Sequence, residues 1–204
     1  MLQASGLECV RGDRSLFSGV GFALDRGTLL HVQGPNGSGK TSLLRILAGL
    51  SQPESGRLDW DGRPVRELGD QYRATLAYLG HQNAIKDDLS AVENLLVSER
   101  LAGGDIDEPH AREALAGFGL ARHADLPTRV LSQGQKRRAA LARLAFRGRC
   151  RLWVLDEPFV ALDAAAVARL GETIARHVHE GGIVVLTTHQ AVDLPAARTE
   201  VLAL

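Results

Sequence analysis

Residues 28–50 read TLLHVQGPNGSGKTSLLRILAGL. Thr28–Gln33 is a short apolar run that predicts a strand. From Lys40 onward, Leu43, Leu44, Leu47 and Leu50 fall on one helical face. Between them, residues 34–41 read GPNGSGKT and satisfy G-x-x-x-x-G-K-[ST] in the strand–turn–helix setting that the pattern requires. The chemistry follows from the residue types. Gly34, Gly37 and Gly39 allow a backbone nest that side chains would block, and Pro35, Asn36 and Ser38 complete the turn. Amides from about Gly37 to Ser42 then point at phosphate oxygens, where the helix N-terminus adds a favourable field. Lys40 reaches the β- and γ-phosphates, and Thr41 offers its hydroxyl to Mg²⁺. The stretch therefore predicts a nucleoside-triphosphate site on an α/β fold.

Working outward, Leu2–Val10 and Leu16–Leu24 predict two strands joined by the polar turn RGDRS. Gly56–Val65 predicts a hairpin with Asp61-Gly62 as its turn, and Arg73–Gly80 another strand. From about Leu89 to Arg147 the period becomes helical, with breaks at Gly103-Gly104 and Pro127. RLWVLDEP and GIVVLTTHQ are apolar runs suited to strands buried on both faces of a parallel sheet. Ala164–His179 predicts the crossover helix between them.

The run LWVLDEP ends in Asp156 and Glu157. Carboxylates at the C-terminal edge of a parallel strand face the place where such sheets bind ligands. Asp156 suits a Mg²⁺ ligand, and Glu157 suits the base that polarises an attacking water. His189 follows the next strand. A lone histidine there is either a satisfied core group or, beside the Glu157 strand, a partner for the γ-phosphate.

Leu131–Arg151 reads LSQGQKRRAALARLAFRGRCR, with Lys136, Arg137, Arg138, Arg143, Arg147, Arg149 and Arg151 and no acid. Taken alone it suggests a nucleic-acid surface. The whole chain has 24 Lys plus Arg against 24 Asp plus Glu in 204 residues, so the basic excess expected of a sequence-independent nucleic-acid binder is missing. Cys9 and Cys150 have no metal-ligand spacing and predict free thiols in a reducing compartment. The N-terminus lacks a signal-peptide pattern, and no window carries the roughly 18 apolar residues of a membrane span.

In this order, GPNGSGKT, Gln82 after a strand, LSQGQ at Leu131–Gln135, LDEP at Leu155–Pro158, ALD at Ala161–Asp163 and His189 resemble an ATP-binding cassette (ABC) ATPase from end to end. The resemblance implies a P-loop NTPase fold with an antiparallel β subdomain and a helical subdomain. The chain would form one domain over residues 1–204, with a core of about 1–88 and 148–204 and a helical part of about 89–147. It also implies ATP and Mg²⁺ as ligands, and a head-to-tail homodimer that sandwiches two ATP. Ser132, Gly134 and Gln135 of one subunit would cap the γ-phosphate held by the other. Asp163 would tie the two sites together, and Gln82 would sit near Mg²⁺ and the attacking water. Two positions depart from the pattern. Gln133 replaces a glycine of LSGGQ. The aromatic residue that stacks on adenine becomes Arg11, whose guanidinium either stacks on the base or is a solvated turn arginine.

Within the family, LGHQNAIKDDLSAVENL at Leu79–Leu95, with ARLAF, DEPFVALD and GGIVVLTTHQ, is similar to the ATPase subunits of cytochrome c maturation haem exporters. That implies integral membrane permease partners, a place on the cytoplasmic face of the inner membrane, no nucleic acid and no direct haem contact. A transporter for a different cargo is the alternative. A soluble ATP-switched machine would carry a second cassette or a coiled coil, and a binding module without turnover would not need Glu157.

Overall fold

In β1 (Leu2–Arg11), Leu2, Ala4, Leu7 and Cys9 face the core, with a register shift between Ala4 and Leu7 where the alternation slips. β1 pairs antiparallel with β2 (Arg14–Leu24) and with β4 (Ser55–Trp60), which pairs in turn with β5 (Arg63–Pro64). Asp61 and Gly62 both have positive φ, 49° and 79°, as a two-residue hairpin turn with the sheet's right-handed twist requires. The computed structural model describes residues 1–148, 150–190, 192, 194 and 198–204. Arg149 of the basic stretch lies outside the described residues.

A second sheet is parallel throughout. It comprises β3 (Thr28–Gln33), β6 (Leu76–Leu79), β7 (Leu152–Leu155), β8 (Ile183–Thr187) and β9 (Arg198–Ala203), in the order β6-β7-β8-β3-β9. Every residue of β7 and β8 is buried, as continuous apolar runs between two layers demand. Because side chains alternate across a strand, the sheet feeds two cores. Leu30, Leu152, Val154 and Val185 pack with α1 (Lys40–Leu47) and β1. Leu29, Trp153, Leu155 and Val184 pack with α7 (Ala164–His179) and the helical insert.

Two short helices, α2 (Val65–Leu68) and α3 (Asp70–Arg73), precede β6, so the strand expected over Arg73–Gly80 begins only at Leu76. β9 is an unforeseen edge strand. Between β6 and β7 lie α4 (Ala91–Leu101), α5 (Glu108–Gly117) and α6 (Gln133–Leu141). Gly103-Gly104 and Pro127 fall between helices, as expected. The basic helix stops at Leu141 and tightens into a 3₁₀ segment over Ala142–Phe146. Cys9 and Cys150 are both buried. Among the described residues no helix is long and apolar enough to cross a membrane.

Candidate active site

The C-terminal ends of β3, β7 and β8 meet at one cleft of about 730 Å³. β3 leads into the glycine-rich loop and α1. Gly39 has φ 102°, and a Cβ there would lie 2.8 Å from Phe17 Cδ1, so a side chain would push the loop off β2. Lys40 Nζ donates to Gly34 O at 2.6 Å and Pro35 O at 3.0 Å, which lays its charge across the mouth of the loop. Ser38 Oγ is buried and has no hydrogen-bond partner among the described residues.

Hydroxyls and carboxylates link the three strand ends. Thr41 Oγ1 donates to Asp156 Oδ2 at 2.9 Å, and Thr187 Oγ1 donates to Asp156 Oδ1 at 2.8 Å. Asp156 is buried at 3% exposure. Glu157 N–H donates to the same Thr187 hydroxyl at 2.9 Å. Glu157 itself has φ 46°, a left-handed conformation that costs a residue with a side chain roughly 1–3 kcal/mol. Its Oε2 accepts from the His189 N–H at 3.3 Å, and its enclosed Oε1 accepts no hydrogen bond among the described residues.

The cleft wall includes Asn36, Gly37, Gly39, Lys40, Thr41 and Ser42 from the loop and helix, with Asp156, Glu157 and His189 opposite in sequence. Gly34 lines a neighbouring cleft with Lys40 and His189. Arg11 and Arg14 both line the main cleft, so its cations exceed those the motif supplies. Gln82 does not line it; His81 does. His81 and Asn83 share a smaller cleft with Glu157, and Gln82 is outside both linings.

Ser132, Gly134, Gln135 and Asp163 lie outside this cleft in their own chain. Ser132 and Gln135 form a capping box: Gln135 N–H donates to Ser132 Oγ at 3.2 Å and Ser132 N–H to Gln135 Oε1 at 2.8 Å. A Cβ on Gly134 would meet Ala161 O at 2.5 Å, so α6 packs directly on the backbone just before Asp163. Asp163 caps α7, accepting from Ala166 N–H at 2.8 Å, and stands 3.5 Å from Arg138. Gln133 lines the smaller cleft beside His81, Arg137 and Glu157. Arg14, His81, Arg137, Thr187 and Gln190 were not legible as site residues. Arg14 sits in the same turn as Arg11, and Thr187 precedes His189 by two residues; those were the available signals.

A family model described as ABC transporter matches residues 17–160. The cytochrome c biogenesis ATP-binding export protein CcmA of Dechloromonas aromatica is 53% identical over 204 residues, covering 100% of both chains. The protein of that name from Escherichia coli (strain K12) is 46% identical, covering 97% of this chain and 93% of its own. A solved ATP-binding protein of a putative ABC transporter from Pyrococcus furiosus aligns with TM-score 0.83 at 23% identity, covering 98% of this chain and 96% of its own. A dimeric bacterial ABC transporter cassette aligns with TM-score 0.84 at 24% identity, covering 100% and 94%.

Proposed function

The chain belongs to the ABC transporter family as an ATP-hydrolysing subunit, and from that premise we propose that it drives a membrane complex of cytochrome c biogenesis that exports haem. The observation that carries the ATPase assignment to particular residues is the linked set Thr41–Asp156–Thr187–Glu157 at the mouth of the phosphate loop. The loop amides and Lys40 hold the β- and γ-phosphates, and Lys40 exchanges its carbonyl partners for phosphate oxygens. Glu157 accepts a proton from the attacking water as the terminal P–O bond breaks, and ADP and inorganic phosphate leave. His189 orients Glu157 and reaches the γ-phosphate. Arg11 and Arg14 hold the nucleotide's base and phosphate charge.

The donor set fits Mg²⁺. Thr41 Oγ1 and Asp156 Oδ2 are hard oxygens already 2.9 Å apart, and small hard cations take such ligands. The ion supplies charge neutralisation on the phosphates.

Ser132, Gly134 and Gln135, in the role the family resemblance implies, serve the site of a second copy; they lie outside their own cleft. Two copies arranged head to tail then sandwich two ATP, with Asp163 at the interface. The core of about 1–88 and 148–204 binds the nucleotide, and the helical part of about 89–147 carries the contact to integral permease subunits at the cytoplasmic face of the inner membrane. The test is purification of the full chain from membranes. A haem-handling assembly that co-purifies and stimulates ATP hydrolysis supports the reading; a solute permease in its place overturns the cargo.

A further inference from the structure

Arg137 is the middle residue of α6, five residues after the Ser132 cap, and is 5% exposed. Its Nη1 donates to Gly80 O at 3.0 Å and to Asn83 Oδ1 at 3.1 Å. Its Nη2 donates to Asp156 O at 2.9 Å and to Glu157 O at 2.8 Å. One guanidinium therefore joins three segments that are distant in sequence: the helix begun by LSQGQ, the loop that presents His81, and the strand end that carries both acids.

Each of these four acceptors is a neutral oxygen. Burial draws the guanidinium's pKa down and the nearby Asp156 charge opposes that. A buried cation fed into neutral acceptors is an expensive way to gain stability alone. What it does instead is visible at Glu157. The left-handed backbone of that residue persists only if its surroundings over-determine it. Its N–H is fixed by Thr187 of the same sheet, and its carbonyl by Arg137 of the helical insert.

We infer that Arg137 is a positioning residue, a strut through which α6 holds the Glu157 backbone in its left-handed conformation and keeps the His81 loop in register with it. Displacing α6 releases Glu157, so hydrolysis follows the position of the helix that faces the second nucleotide. The inference rests on Glu157 being the base.

The experiment uses the full chain purified with its membrane partners, comparing native protein with Arg137→Gln, Arg137→Lys and Glu157→Gln. ATP affinity, kcat and thermal unfolding are measured for each. Misplacing a reacting group by about 1 Å costs on the order of 10²-fold, so Arg137→Gln lowers kcat at least about tenfold while the ATP Kd stays within about twofold. Arg137→Lys keeps the charge and fewer donors, and recovers part of the loss. If Arg137→Gln does not fold, Arg137→Lys decides alone, with kcat expected to fall about threefold or more at unchanged Kd. Native kcat in Arg137→Lys, or parallel losses of affinity and kcat, overturns the strut while an inactive Glu157→Gln leaves the base in place. A fully active Glu157→Gln overturns the base assignment and the strut together.

Discussion

His189 Nε2 lies 3.5 Å from Glu157 Oε1, while the His189 N–H donates to Oε2 of the same carboxylate at 3.3 Å. The parallel pairing of β7 and β8 sets this approach, because both residues follow strand ends that are neighbours in the sheet. The imidazole is 57% exposed and the Glu157 side chain 15%, so the histidine presents an accessible face beside an enclosed carboxylate.

Removing the imidazole separates its work from that of the backbone. His189→Ala keeps the N–H on Oε2 and loses the ring. The hydrogen bond proposed from the ring to the γ-phosphate is one to a charged group, worth about 1.5–3 kcal/mol, so kcat is expected to fall roughly ten- to a hundredfold, with ATP affinity changed less. Steady-state hydrolysis and nucleotide titration read the two separately. A loss confined to affinity would assign the ring to ground-state binding.

His81 and Gln82 give opposite expectations. His81 lines the nucleotide cleft and Gln82 does not. His81→Ala should cut hydrolysis by about tenfold, the worth of one hydrogen bond near developing charge, whereas Gln82→Ala should stay within about twofold. The reverse order in the same assay would assign the role to the glutamine and not to the histidine.

Gly134 has a packing duty before any dimer forms. With Ala161 O 2.5 Å from the missing Cβ, Gly134→Ala must push the backbone ahead of Asp163. Overpacking of this kind costs about 1–3 kcal/mol. ATP-free protein should lose several degrees of Tm, and an unchanged Tm would leave Gly134 with an intermolecular role alone.

The parts of the fold set by local chemistry were legible. The loop GPNGSGKT, the Asp61-Gly62 turn and the buried runs before Asp156 and His189 each carry their own physical signature, and the structure places each on the expected element. What failed to show depends on distant partners. β9 is a half-exposed edge, and its RTEVLA sequence has too little apolar pattern to announce a strand. The place of His81 in the cleft depends on the path of an irregular loop, which no periodicity encodes. Arg137 sits in a basic run that looks solvated, because the acceptors that bury it lie 19 to 57 residues away.

Acid should weaken the fold through His177. Its ring stacks on Trp153 with centroids 3.8 Å apart, Nε2 is buried without a hydrogen-bond partner among the described residues, and burial lowers its pKa from 6.5 to about 4. The unfolded chain takes up this proton first. The contribution is therefore whole above about pH 6.5 and is lost as pH falls towards 4. His177→Phe keeps a stacked ring without a proton to gain, so its Tm should decline less than native between pH 7 and 4.5. Superimposable declines would contradict this origin.

The most direct test of the account is ATP turnover by Glu157→Gln in the full chain with its membrane partners. The amide keeps the shape and the His189 contact but cannot take the proton. ATP should bind with native affinity and accumulate unhydrolysed in a stable dimer, with turnover reduced about 10²- to 10⁴-fold. Hydrolysis at the native rate would contradict Glu157 as the base, and with it the mechanism drawn from this cleft.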